Sequence, residues 1–399
     1  MSSPAPILIS GAGIGGLAAA LALAQRGFAA HVLEKRAGPA EEGAGIQIGP
    51  NGVHILRQLG VAGALAPLTA SPDSLYIMDG VAGRELTRLP LGTTIETRHG
   101  APYWTAHRAD VHSTLLAAAQ NEPLISVSFG SDVIAAQSHE DRVRLHLSDG
   151  SELDGAALIA AEGLWSTTRG SLFKSAPPVH SGSCAYRAVI PADRLPGGLS
   201  AGSTHIWLAP SAHVVHYPVR AGQEIAIVVI LEGRAIVAGW GTDIAAAQIQ
   251  DRFANAPSPL RELISRPASW RGWPLMKLPT PTAWNEGRIA LLGDAAHPVL
   301  PFLAQGAVMA LEDSVVLADR LAHSPHAVAE ALAQYARERV PRTSRVARAS
   351  RHNGRIFHLA GPFAAARNAV LRTGSPQRLL ASFDWLYGWR APAGGQNLR

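Results

Sequence analysis

Cysteine is almost missing: Cys184 is the single one in 399 residues. One thiol excludes an internal disulfide and any cysteine-based zinc or iron–sulfur site, and it fits a reducing cytoplasm. Charge is scarce as well. Asp, Glu, Lys and Arg make up 16% of the chain against 47% hydrophobic residues, which rules out a disordered polymer and allows a large core, enough for two domains. The formal net charge is only +5. The one arginine cluster, at 337–355, has helical spacing and few aromatics, so nucleic-acid binding has little support. No uninterrupted apolar run suits a membrane span: glycines break 7–23, and Arg367 breaks 358–371. Residues 1–10 lack the basic start and cleavage pattern of a secretory signal. These absences predict a cytoplasmic protein with no stable membrane association; a monomer or homodimer is expected, and nothing in the composition chooses between them.

What is present begins at residue 7. Residues 7–10 read as a short buried strand, and Gly11, Gly13 and Gly16 follow in the spacing G-x-G-x-x-G. An alanine- and leucine-rich helix is predicted over 17–25, and a second strand over 30–33 ends on Glu34. Each glycine has a reason: a tight turn at 11, close backbone approach to a pyrophosphate at 13, helix–strand packing at 16. The helix start offers free N–H groups to the phosphates, and Glu34 can accept from ribose hydroxyls. The loop alone leaves open whether the dinucleotide is NAD or FAD.

Further along, 35–39 reads as a loop, followed by a glycine-rich segment at 41–48. Asn51 is a candidate cap for a helix over 53–59. Strands at 75–78 and 85–89 suggest a hairpin belonging to a second sheet. Arg108 stands at the start of a helix over 111–120, either reaching a cofactor or lying on the surface. Strands are predicted at 125–129, 133–136, 143–147 and 157–160, the last running into Ala161-Glu162-Gly163. Residues 184–279 look all-β, with strands at 185–190, 205–208, 214–219 and 224–231, ending in a helix-like stretch at 243–253. A last buried strand ends on Gly293-Asp294. After Pro298 and Gln305-Gly306 a helix runs from Ala307 to 321, and helical residues dominate to about 349.

Three motifs together, Gly11–Gly16 with Glu34, Ala161-Glu162-Gly163, and Gly293-Asp294-Ala295-Ala296-His297-Pro298 with Gln305-Gly306 and Leu311-Glu312-Asp313, give the chain its likeness. It resembles the single-component FAD-dependent aromatic hydroxylases of the para-hydroxybenzoate hydroxylase group. It is most similar there to salicylate, 3-hydroxybenzoate and 6-hydroxynicotinate monooxygenases. The resemblance implies α/β plus antiparallel β: a glutathione-reductase-type Rossmann FAD-binding domain, an inserted β-sheet substrate domain and C-terminal helices. The expected boundaries are 1–73, 101–175 and 280–345 for the FAD domain, 74–100 and 176–279 for the substrate domain, and 346–399 for a helical tail.

It also implies FAD as cofactor, NADH or NADPH as co-substrate, and hydroxylation, with or without decarboxylation, of a small phenolic or hydroxy-N-heteroaromatic substrate, expected to be a carboxylate, with O₂ through a flavin C4a-hydroperoxide. The implied FAD contacts are Gly11, Gly13, Gly15 and Gly16 in the first loop and Glu34, Lys35 and Arg36 after the second strand. Arg108 and Asp294 would meet the ribityl–phosphate region, and Pro298, Gln305, Gly306 and Ala307 the isoalloxazine. Glu162 departs from the usual aspartate of its motif. No second G-x-G-x-x-G serves the nicotinamide, for which the family uses transient docking with a mobile flavin, compatible with the glycines at 43–45.

The strand around 213–217 supplies the catalytic candidates. Residues 213, 215 and 217 share one face, so His213, the expected general base, and Tyr217, expected to orient the substrate hydroxyl or the base, point together. An imidazole titrating near ~6.5 suits such a base. The plainer reading makes His213 a loop-end histidine and Tyr217 a core aromatic. His216 points to the opposite face, so no metal pair forms and no metal is expected. His297 is read as structural, beside Pro298. The alternative function is a flavin-binding or regulatory protein without hydroxylase activity, which would keep the FAD motifs and lose a working His213–Tyr217 pair.

Overall fold

A computed structural model describes residues 5–39, 44–233, 239–278 and 283–391. Its first layer is a six-stranded sheet in the order Asn285–Glu286, Ile289–Leu291, Ala157–Ala160, Ile7–Ser10, Ala30–Glu34, Ile125–Phe129. All neighbours run parallel except the first pair. The central strand is buried on both sides, as parallel strands are. Ile7 and Ile9 pack with Leu17 and Val308, while Leu8 faces Val143 and Leu145 of a three-stranded sheet that covers the other side.

The register sets the site. Ser10 lies opposite Ala160, and Ala160 opposite Leu291. Three strands from distant parts of the chain therefore end at one level, and the loops beginning at Gly11, Ala161 and Leu292 leave the sheet side by side. Backbone bonds continue the alignment past the strand ends, from Ala161 N–H to Ser10 O (2.8 Å) and from Leu292 N–H to Ala160 O (3.0 Å).

The second layer is an eight-stranded sheet in the order Thr242–Ile244, Trp270–Lys277, Val179–Pro191, Glu224–Glu232, Ala212–Val219, Thr204–Ala209, Ser74–Asp79, Glu85–Pro90. It is antiparallel except where Thr204–Ala209 meets Ser74–Asp79. The predicted hairpin at 75–89 thus joins this sheet's edge, as expected. The opposite edge corrects one expectation: 242–244 form an edge strand, and only Ala246–Arg252 is helical.

Two other expectations also change. Asn51 does not cap a helix. The helix Pro50–Gln58 starts one residue earlier, with Gly49 before its Pro, because proline suits the first helical position. The Asn51 side chain is instead buried, donating to Gln305 (3.0 Å) and Glu312 (2.9 Å). The boundary at 345/346 falls inside one continuous helix, Val328–Phe357. That helix brings Arg339 and Arg342 onto Glu312 and Asp313 of the helix Gly306–His323. These carboxylates are wholly buried, and such charges persist only when paired. The glycine-rich segment at 40–43 lies outside the described residues.

Candidate active site

The first wall of the site is the edge where the three loops emerge. A Cβ on Gly16 would sit 1.9 Å from the Gly11 carbonyl oxygen, and one on Gly11 2.5 Å from Ala161 O. These glycines let the loop fold onto its neighbour. A Cβ on Gly15 would meet Leu292 and Ala310, so Gly15 seats its helix against the sheet end. Beside Gly13 there is open space, and the helix Ile14–Ala24 has no side-chain cap. Its first-turn N–H groups face a cleft lined by Ala12, Gly13, Glu34, Arg36, Arg108 and His112. Glu34 sits on the rim and accepts from Ala12 N–H (2.9 Å) and Arg36 N–H (3.1 Å). Lys35 is exposed and does not line this cleft.

Deeper in, Arg108 opens the helix Arg108–Gln120. Its guanidinium is exposed and makes no hydrogen bond or ion pair among the described residues. Asp294 likewise has no hydrogen bond there. Its carboxyl opens onto solvent, yet the protein around it is dense. Burial pushes its pKa up, with His297 and Arg108 pulling the other way. The helix Gly306–His323 also begins without a side-chain cap, leaving the N–H groups of Gly306 and Ala307 unpaired within the helix. Pro298 is half-buried in the loop between. An uncapped helix start, a carboxylate on the rim, a free arginine and a free carboxylate below fit the pyrophosphate, ribose and polyhydroxyl chain of a flavin dinucleotide.

Two motif residues serve as braces. Glu162 accepts from Ser10 Oγ (2.9 Å), Thr168 Oγ1 (2.7 Å), Thr168 N–H (3.0 Å) and Ser166 Oγ (2.5 Å). The longer side chain therefore ties the first strand to the helix Thr167–Leu172 and is fully engaged. His297 bonds Asp313 and stacks on Trp284 at 4.9 Å, in keeping with a structural histidine. Asp313 also accepts from Gly293 N–H (3.1 Å) and Arg339 (2.7 Å). Burial would push its pKa up, but His297 and Arg339 hold it below the usual carboxylate range.

The second wall is one face of the eight-stranded sheet. Pairing aligns His213 with Ile230 and Ala185, Val215 with Val228 and Arg187, and Tyr217 with Ala226 and Val189. Period-two alternation puts all of them on the same side. That side rests on the cofactor wall: Phe302 lies 5.5 Å from the His213 ring, and Gly45 abuts Tyr217. His216 is on the other face, stacked on His205 at 4.4 Å.

His213 and Tyr217 stand about 13 Å apart along the strand, so Tyr217 does not orient His213. His213 Nδ1 bonds His358 Nε2 at 2.7 Å instead, and Tyr217 lies near Gln47 and Arg187. Burial raises the Tyr217 pKa to about 12, with Arg187 and Gln47 opposing, which keeps the phenol protonated. Burial, then the neighbouring His358, holds His213 well below its ordinary value and therefore neutral. Arg187, Glu232 and His358 escaped the sequence reading. Arg187 had a signal, a charge on the inward phase of the strand at 185–190. Its guanidinium lies 5.1 Å from the Trp273 ring, and its buried Nε has no partner. His358 lies 145 positions from His213, and no local pattern links them.

Comparisons with known proteins agree with this geometry. The family described as FAD binding domain matches residues 4–350. The chain is 37% identical over 385 residues to 3-hydroxybenzoate 6-hydroxylase of Polaromonas naphthalenivorans, covering 96% of each. It is 33% identical over 352 residues to 6-hydroxynicotinate 3-monooxygenase of Bordetella bronchiseptica, covering 87% of this chain and 91% of that one. Among solved structures, Klebsiella pneumoniae HpxO complexed with FAD and uric acid superposes with a TM-score of 0.85 at 26% identity, covering 96% of both chains. With three strand ends meeting at one level and relatives aligned along nearly their whole length, the chain belongs to the FAD-binding-domain family, among its flavin-dependent aromatic hydroxylases.

Proposed function

We propose that this enzyme hydroxylates a phenolic or hydroxypyridine carboxylate, with His213 as the base for the ring hydroxyl and Arg187 as the carboxylate's partner. FAD, reduced by NADH or NADPH, supplies the activated oxygen. The protein's part is position, proton control and dryness. Gly13, Glu34, Arg108, Asp294 and the N–H groups of Gly306 and Ala307 hold the cofactor. The sheet face presents His213 and Arg187 two strands and two residues apart, about 12 Å between their Cα positions, a span that the two side chains close down to a benzoate-sized ring with substituents at both ends. Removing the hydroxyl proton enriches the ring carbon that takes up oxygen, and a neutral imidazole is the form able to do so. Tyr217, kept protonated, donates a hydrogen bond towards the ring's substituents. Phe302 and Val215 keep water away.

The observation that carries this reading is the placing of His213 and Arg187 on one buried face against the loop before Gly306. The relatives' names point the same way, to hydroxybenzoate and hydroxynicotinate. The single cysteine suits a cytoplasmic enzyme, and the reading takes 1–73, 101–175 and 280–345 as the FAD unit and 74–100 and 176–279 as the substrate unit. A panel of hydroxybenzoates and hydroxypyridine carboxylates, scored for NAD(P)H consumption and hydroxylated product, tests it. Coupled product from at least one carboxylate is expected. NAD(P)H oxidation without product across the panel overturns the reading in favour of a flavoprotein lacking hydroxylase activity.

A further inference from the structure

Behind His213 the structure holds a short chain of titratable groups. His213 Nδ1 meets His358 Nε2 at 2.7 Å, and His358 Nδ1 meets Glu232 Oε1 at 2.7 Å. The first two side chains are buried, His213 2% exposed and His358 6%, whereas the Glu232 side chain is 44% exposed. The line thus runs from the catalytic face to the surface. Phe302 and Phe357 enclose His213 at ring distances of 5.5 and 5.3 Å. Among the described residues, the charged or titratable group against His213 is His358, and those against His358 are His213, Glu232 and Arg367. Both ends of the line are anchored. Ser211 N–H donates to His358 O and Glu232 N–H to Ser211 O, while Arg367 grips the carbonyls of Ile356 and Phe357.

The network also assigns the protons. A carboxylate only accepts, so His358 Nδ1 must carry hydrogen and donate to Glu232. His358 Nε2 is then a lone pair, and His213 Nδ1–H donates to it. That leaves the His213 Nε2 lone pair free, and no group among the described residues bonds it.

We infer that His358 and Glu232 form a proton relay that presets His213 as a base and carries the substrate's proton from the closed site to water. The inference rests on the reading of His213 as the base. In the step, the substrate O–H bond breaks and a His213 Nε2–H bond forms. His213 Nδ1–H passes to His358 Nε2, His358 Nδ1–H passes to Glu232, and Glu232 yields its proton to solvent. One proton leaves and no electrons move. When the product hydroxyl is reprotonated, the same path runs backwards and restores the starting tautomers. Burial disfavours a charge resting on His213, which is why the proton needs onward passage. His358 and Glu232 act through His213 and are positioning residues.

The test uses the FAD-loaded enzyme without O₂, with 3-hydroxybenzoate as probe. Proton appearance is followed with a pH indicator and substrate ionisation by absorbance. Glu232→Gln and His358→Gln should each slow proton appearance by about tenfold or more, with flavin content and probe affinity unchanged, and formate should rescue Glu232→Ala. Independently of the probe, ¹⁵N NMR of labelled histidines should find hydrogen on Nδ1 of His213 in the parent. Parent-rate proton release in both Glu232→Gln and His358→Gln, or a His213 protonated on Nε2, overturns the relay. If His213→Gln abolishes ionisation while those two variants release normally, the relay alone fails. If His213→Gln ionises the probe at the parent rate, the base assignment fails and the relay with it.

Discussion

The cofactor wall is assembled from three loops that each follow a parallel strand, while the proposed catalytic wall is assembled from side chains two residues apart on antiparallel strands. In the first, backbone does most of the binding: glycines make the turns, and helix starts supply N–H groups. Its tolerances are set by backbone clearance, 1.9 Å at Gly16 and 2.5 Å at Gly11. In the second, side chains act, and what matters is which phase of the strand faces inward. Damage to the first wall should therefore cost folding and flavin together. Damage to the second should cost chemistry with flavin retained.

The largest effect expected on that contrast is at Gly16. A methyl group there meets backbone oxygen that cannot yield, so Gly16→Ala should destabilise the fold by about 3 kcal/mol or more and leave the purified protein colourless, by thermal unfolding and visible absorbance. His213→Gln should keep full flavin content and lower the rate of product formation by about 10²–10⁴-fold; loss of flavin in this variant would erase the distinction between the walls. Arg187→Met should raise KM for an aromatic carboxylate by about tenfold to a hundredfold, the worth of one charged hydrogen bond. For the matching uncharged phenol it should change KM little.

The smallest effect is one of pH. His213, His216 and His205 all have lowered pKa values, His205 to about 4, chiefly through burial. An unfolded chain takes up protons at these histidines below about pH 6.5, and the folded one refuses them. Stability should thus fall as the pH drops through that range, and His216→Phe should flatten the slope in denaturant titrations.

The cofactor wall was largely legible because each of its parts is a local pattern: strand, glycine turn, helix start, acid. Even there packing decided what single residues touch, and the cap assigned to Asn51 went astray. Gly15 serves the helix–sheet contact, Lys35 faces solvent, and Asn51 ties Gln305 to Glu312 rather than capping a helix. On the catalytic wall, alternation correctly put His213 and Tyr217 on one face and His216 on the other. It could not reveal that Tyr217 is too far along the strand to touch His213.

By itself the sequence determined most of the strands and helices around the first loop and that a dinucleotide belongs at residue 11, since these follow from local conformational preference and short spacing. Only the tertiary structure decided that Ser10, Ala160 and Leu291 end at one level, that Arg187 shares a face with His213, and that His358 and Glu232 stand behind it. Those facts depend on strand order and register, which arise from burying many side chains at once and leave no trace in the spacing of any two residues.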